Sequence, residues 1–286
     1  MTALNRAEMM RLIVPAPAKV NLFLHVTGRR ADGYHTLESL IALIDLADTI
    51  TLECRDDGVI RREGDVAGVP EDRDLAVRAA RALQTATDSP LGVDITLTKR
   101  IPLGSGLGGG SSDAATVLLA LNRLWKLGLP RVELLRLAVG LGADVPLFVA
   151  GENTVARGIG EVLTPVSLPH CFVTLAFPAA AVPTADIFQA TELTRSTASA
   201  KIDVFSEGYG RNDLAPVTAA RFPAVAAAIK ALSRASPQAR MTGSGACVFA
   251  AFPVEHEAQR ALELLPQDMR GCVARTLARH PLATFA

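Results

Sequence analysis

Five of the seven positions from 104 to 110 are glycine, within the run PLGSGLGGGSSD from Pro102 to Asp113. Glycines lack a Cβ, so backbone N–H groups can approach a charged ligand closely, and a helix starting directly behind them points its positive dipole end at the same place. That combination holds anions, polyphosphates above all. Two well-known phosphate loops are excluded by context. Gly104-x-Gly106-x-x-Gly109 has the dinucleotide spacing, but a second helical segment follows its helix where a parallel strand ending in an acid is required. A Walker-type loop begun at Gly104 needs Lys at position 110, which is Gly. A flexible linker is the bland alternative, yet linkers seldom lie between a patterned strand and a strong helix former. Ser111 and Ser112 stay open to two readings: caps of the helix behind the loop, or ligands of phosphate or Mg²⁺.

The elements that must position this loop are legible around it. Val93, Ile95 and Leu97 alternate with Asp94, Thr96 and Thr98, a half-buried strand running into the loop. Val117, Leu118, Leu121, Leu124 and Trp125 form the apolar stripe of the helix behind it, and Asp113 suits that helix's first turn. Upstream, residues 12–26 read as two short strands separated by Pro15-Ala-Pro17, 48–54 as a strand and 74–87 as a helix. A helix over 130–141 leads to the loop Gly142-Ala-Asp144-Val-Pro146. Beyond residue 165 the pattern is strand (171–177), helix (184–193), a long helical region (213–235), strands (238–242 and 246–252), helix (254–265) and strand (271–276). This second alternation, in a chain of 286 residues, predicts an α+β protein of two domains, 1–163 and 164–286.

Composition narrows the function. Basic and acidic residues cancel at 29 each, which removes the positive field of a dedicated nucleic-acid binder. Cys54, Cys171, Cys247 and Cys272 form no C-x-x-C, and the five His form no H-x-x-x-H, so no zinc spacing exists and buried free thiols in a reducing cytoplasm are expected. The leader before residue 11 lacks the apolar core of a signal peptide, and no run reaches the ~18–20 apolar residues of a membrane span. A cytoplasmic protein without a membrane partner follows.

The glycine loop resembles the phosphate-binding motif of the small-molecule kinase superfamily of galactokinase, homoserine kinase, mevalonate kinase and phosphomevalonate kinase. Other stretches agree in order: PAKVNLFL from Pro17 with RADGYH from Arg30, LGADVP from Leu141, and MTGSGACVF from Met241. Shorter echoes are Gly158-Ile-Gly160-Glu161 and Asn212-Asp213-Leu214. The extra glycine before the serine pair and the ADGYH segment resemble the branch that phosphorylates a cytidine-diphosphate alcohol in non-mevalonate isoprenoid biosynthesis. The departures are the ten-residue leader and Ser105 inside the loop.

This resemblance implies an N-terminal ribosomal-protein-S5-like α/β domain, a C-terminal ferredoxin-like α+β domain, and transfer of the γ-phosphate of ATP, with Mg²⁺, to an alcohol. It nominates Lys19 and Asp144 as catalytic, although alone they would read as a solvated strand lysine and a turn carboxylate. It assigns Pro102, Leu103, Gly104, Ser105, Gly106, Leu107, Gly108, Gly109, Gly110, Ser111 and Ser112 to ATP, and leaves the metal's ligands open. It places Tyr34 and Phe188 on the two faces of a cytosine, His35 at its edge, and Asn21 and Thr184 as further substrate contacts. The glycine-rich turn Thr242-Gly243-Ser244-Gly245 becomes a wall beside the phosphates or acceptor. The expected partner is a small cytidine-diphosphate alcohol, and the expected state a monomer or weak homodimer. Two rivals remain. A related kinase for another small alcohol is opposed by Tyr34-His35, and an inactive ligand-binding member is opposed by the presence of both Lys19 and Asp144.

Overall fold

The computed structural model describes residues 11–199 and 210–286; the leader, read above as carrying no signal peptide, and Lys201 lie outside them. β1 (Arg11–Arg29) and β2 (His35–Arg55) pair antiparallel along nearly their whole length, from Arg11 opposite Glu53 to Arg29 opposite His35. Pro15 and Pro17 do not divide β1 as expected. Among the described strands β1 pairs only with β2; on its other edge Lys19, Asn21 and Leu24 donate their N–H groups to loop residues, all beyond the prolines, and a register shift between Pro17 and Ala18 takes up the irregularity.

Along its other edge β2 carries three partners in turn: β5 (Thr154–Arg157), β10 (Arg270–Leu277) and β4 (Gly92–Thr98). β3 (Ile60–Glu63) adds parallel to β4, and β6 (Val162–Pro165) adds antiparallel to β5. β10 also pairs β7 (Phe172–Phe177), which pairs β9 (Val248–Phe252), which pairs β8 (Arg240–Met241). Ten strands thus run through one sheet that joins both halves of the chain.

Helices cover this sheet in two groups. α1 (Leu75–Thr87), capped by the Asp74 carboxylate on the Ala76 N–H, packs with α2 (Gly109–Leu124), α3 (Arg131–Val139) and α4 (Val145–Ala150) over β2 and β4. α5 (Thr184–Gln189), α6 (Ala215–Arg221), α7 (Pro223–Leu232) and α8 (Glu255–Glu263) cover β7 and β9. A third apolar cluster, with Ala18, Val20, Leu107, Val173, Leu175 and Phe249, lies between the two.

Several boundaries differ from expectation for local reasons. The helix predicted over 184–193 stops at Gln189. The long helical region breaks at Phe222, whose φ of −125° and ψ of 90° are extended, as the residue before Pro223 must be to escape its ring. α2 starts earlier than expected, at Gly109, with Gly108 at the N-cap and no side-chain cap bond. Ser111 and Ser112 are therefore inside the helix and are not its caps. All four cysteines are free thiols, and only Cys247 is fully buried. Among the described residues no helix is long and apolar enough to cross a membrane.

Candidate active site

Lys19 sits on β1 one residue past the bulge, and its backbone N–H donates to the Leu107 carbonyl, tying the strand to the glycine loop. Its side chain is only 5% exposed, so the solvated reading is excluded. The ammonium donates to Asn21 Oδ1 at 2.8 Å and lies 3.6 Å from the Asp144 carboxylate. Asp144 occupies the N-cap position of α4 but makes no capping bond. Its carboxylate, 44% exposed, is left to face Lys19 and the cleft. The turn-carboxylate reading therefore lacks the hydrogen bond that would justify it.

Asn21 is nominated as a substrate contact, yet its amide is already employed. Oδ1 accepts from Lys19 Nζ, from Thr242 Oγ1 at 3.1 Å and from the Gly243 N–H at 3.0 Å, while Nδ2 donates to Ser39 Oγ at 2.8 Å. The residue holds the Thr242–Gly245 turn against β1 and fixes Lys19. Asn212 grips the same turn from below, donating to the carbonyls of Met241 and Gly243.

The loop packs into this frame with little clearance. A Cβ on Gly106, whose φ is +78°, would fall 2.4 Å from the Thr242 carbonyl oxygen. Gly108, at φ +75°, passes between Phe148 and Lys19. Only from Ser112 N, which donates to Gly108 O, does α2 bond internally. The amides of Gly109, Gly110 and Ser111 thus lack intrahelical acceptors and open on the cleft, where the dipole adds its positive end.

That cleft holds about 500 Å³, within the ~300–1,000 Å³ of small-molecule sites. Both helix groups line it. Lys19, Asn21 and Asp144 stand in its wall with Pro102, Leu103, Gly104, Ser105, Gly106, Gly108, Gly109, Gly110 and Ser111 from the loop, and Thr184, Phe188, Gly243 and Ser244 from the second half. Leu107 and Ser112 are absent from the lining. Leu107 is buried in the central cluster, and Ser112 Oγ donates to the Pro17 carbonyl at 2.6 Å. Thr184 Oγ1 and Ser244 Oγ hydrogen-bond to each other at 2.7 Å.

Of the three side chains expected around a cytosine, Phe188 stands in the cleft wall and His35 and Tyr34 do not. The His35 ring lies against Phe188 with centroids 5.4 Å apart. Tyr34 is 63% exposed on the turn after Gly33 and is not in the cleft wall. Burial, with the Arg195 and Arg29 charges, lowers the His35 pKa.

Sequence reasoning passed over an ion-pair group beneath the loop. Lys99 Nζ donates to the carboxylates of Asp48 and Asp113, and Asp48 also accepts the amides of Arg100 and Ile101. Burial pushes the Asp113 carboxyl up, opposed by Lys99, and burial of Lys99 is outweighed by the two carboxylates. The available signal was that Lys99 is one of five lysines in the chain, placed at the loop entrance. Asp113, expected as a free acid for the helix dipole, is consumed in this pairing.

Among the described residues no three His, Cys, Asp or Glu side chains form a metal cage. A Mg²⁺ ion held mainly by phosphate oxygens and water needs none. Asp144 and Ser111 are the carboxylate and hydroxyl in the cleft wall with oxygens left to offer it.

Comparison with known proteins identifies the family. The GHMP kinases N terminal domain family matches residues 74–152 and the GHMP kinases C terminal family matches residues 196–270. A 4-diphosphocytidyl-2-C-methyl-D-erythritol kinase of Cupriavidus necator is 56% identical over 277 residues, covering 95% of both chains. The protein of the same description from Thiobacillus denitrificans is 57% identical over 271 residues, covering 95% of this chain and 97% of that one. A crystal structure of 4-(cytidine 5'-diphospho)-2C-methyl-D-erythritol kinase superposes with a TM-score of 0.83 at 36% identity, over 93% of this chain and 99% of that chain. Homoserine kinase from Cytophaga hutchinsonii, at 19% identity and a TM-score of 0.65 over 95% and 96% of the two chains, shares the fold.

Proposed function

This chain belongs to the GHMP kinase family, and from that premise we propose that it transfers the γ-phosphoryl group of ATP to the 2-hydroxyl of 4-diphosphocytidyl-2-C-methyl-D-erythritol, a step of non-mevalonate isoprenoid biosynthesis. The observation that carries the reading is the Lys19–Asp144 pair at 3.6 Å, set in the same cleft as the open amides at the start of α2. Phosphoryl transfer asks a protein for positioning and charge neutralisation more than for covalent chemistry. The amides of Gly109, Gly110 and Ser111 supply fixed donors for the phosphates. Asp144 accepts the proton of the attacking hydroxyl, and the Lys19 ammonium steadies the oxygen that loses its proton. Mg²⁺ entering with ATP would neutralise phosphate charge, with Asp144 and Ser111 as the protein oxygens available to it.

Phe188 and Tyr34 take the two faces of the cytosine and His35 its edge, a reading supported by the closeness of the His35 and Phe188 rings. Thr184 and Ser244 contact the acceptor from the second half. The proposal includes domains 1–163 and 164–286, supported by the placement of the two family matches on either side of that boundary. It includes a monomer or weak homodimer in the cytoplasm, the compartment being supported by four free thiols. ADP release measured with the cytidine-diphosphate alcohol beside homoserine, mevalonate and galactose tests the substrate. Turnover confined to one of the latter three would overturn it.

A further inference from the structure

Arg195, in the segment after α5, was not singled out by any motif, yet its guanidinium has five hydrogen-bond partners, His35 and the Phe188 carbonyl among them. Nε donates to His35 Nε2 at 3.0 Å, one Nη to the carbonyls of Leu193 at 3.1 Å and Thr191 at 3.5 Å, and the other to the carbonyls of Phe188 at 3.2 Å and Ala190. We infer that Arg195 is a positioning residue of the acceptor site: it locks the His35 ring in the neutral form with its hydrogen on Nδ1 and ties the Tyr34–His35 turn to the carbonyl end of α5, which carries Phe188. The inference rests on the reading of His35 and Phe188 as acceptor contacts given above.

The chemistry is restrictive. A guanidinium only donates and does not lose its charge, so the nitrogen facing it must present a lone pair. With Nε2 committed as acceptor, the remaining ring hydrogen belongs on Nδ1, and His35 offers a donor at that edge. Two of the carbonyls collected by Arg195, those of Phe188 and the C-cap Ala190, lie at the negative end of α5, where a cation is favoured. One side chain therefore sets both the tautomer of His35 and its stacking on Phe188, joining positions 160 residues apart. Protonating His35 puts an N–H against the Arg195 N–H and opens the contact. The charges acting on the ring are Arg195 from this segment and Arg29 from β1, both opposing protonation after burial itself.

Two measurements on the full-length protein test this. Nitrogen-15 correlation spectra of histidine-labelled protein, with His35 assigned by comparison with His35→Gln, should show the Nδ1–H tautomer in wild type and a shift toward Nε2–H in Arg195→Ala. This readout needs no substrate, so it stands even if another alcohol proves to be the acceptor. In kinetics Arg195→Ala should raise the acceptor KM about tenfold or more, as expected for losing a charge-assisted contact, with kcat and the KM for ATP within about twofold. Removing the positive neighbour should also move the acid limb of kcat/KM for the acceptor to higher pH. Should Arg195→Ala fold poorly, Arg195→Lys serves instead: one ammonium cannot serve the imidazole and the four carbonyls as the planar fork does, so the acceptor KM should again rise about threefold or more with the KM for ATP within about twofold. An Nε2–H tautomer in wild type, or an equal loss for ATP and acceptor in the Arg195 variants, would overturn the proposal.

Discussion

Asp144→Asn keeps the shape of the side chain and removes the base. With no capping bond at stake, the substitution should leave folding intact and lower kcat by roughly 10²–10⁴, about 3–5 kcal/mol, with ATP affinity little changed. Near-normal turnover would assign the proton to another acceptor. Lys19→Met removes the neighbouring charge and also strips a donor from Asn21 Oδ1, which keeps the Thr242 hydroxyl and the Gly243 amide. Its kcat should fall comparably while the thermal midpoint moves little; an unfolded variant would make Lys19 structural. Tyr34 poses a different question, because it stands outside the cleft wall and is 63% exposed, with little packing to lose. If it closes over a cytosine, Tyr34→Ala should raise the acceptor KM roughly 5–150-fold, the ~1–3 kcal/mol of a base stack, and spare ATP. An effect on ATP instead would remove the clamp.

At the scale of elements, the glycine loop is a spacer-free joint between β4, the start of α2 and the Thr242–Gly245 turn. Gly106→Ala would drive a Cβ to 2.4 Å from the Thr242 carbonyl oxygen, whereas Gly104, also at positive φ, has nothing within 4 Å of its Cβ position. Gly104→Ala should therefore cost only the backbone strain of an L-residue in that region, about 1–2 kcal/mol, with ATP binding retained. Gly106→Ala must displace the loop or the turn and should weaken ATP by at least tenfold in a calorimetric titration, about 1.4 kcal/mol. Equal effects of the two would mean the turn yields freely. These contacts also explain what was legible beforehand. Strand, loop and helix around 93–125 are local in origin, so alternation, glycine density and apolar periodicity carry them. The continuity of β1 through two prolines depends on an edge that no described strand pairs, and the α2 start depends on Gly108 meeting β1; neither is written in local sequence. Lys19 and Asp144 were nominated through motifs alone, since their meeting is a tertiary event. Arg195, Asn21 as an organiser and the Lys99–Asp48–Asp113 group arise from contacts of long sequence separation, which no spacing rule reports.

The whole molecule is closed by a return of the chain. β10 bridges β7 to β2, and the residues after it lie back on the first helix group, with Leu282 in that core and Phe285 under the Arg123 guanidinium. His280 pins the segment: its N–H donates to Gly151 O, its Nδ1 accepts the Leu282 N–H at 3.0 Å, and Nε2 lies 3.4 Å from Thr116 Oγ1 on α2. Burial, helped by the Arg131 charge, lowers the His280 pKa to about 4 from an ordinary 6.5. Between these values the unfolded chain binds a proton that the folded protein does not, so this contribution to stability is complete above pH 6.5 and is lost as pH falls toward 4, up to about 3 kcal/mol. Protonation also removes the lone pair that receives Leu282 N–H, so the loss acts on the one segment that crosses from the second half of the chain to the first core. His280→Asn keeps an acceptor near the Nδ1 position without titrating. In urea unfolding from pH 7 to 4.5 the variant should lack this part of the acid decline, and its stability curve should converge on wild type as pH falls. Taking the difference between the two proteins cancels the opposite tendency of the buried Asp113 carboxyl, which is common to both. Parallel curves would show that the tail is held by Leu282 and Arg131 without help from the imidazole.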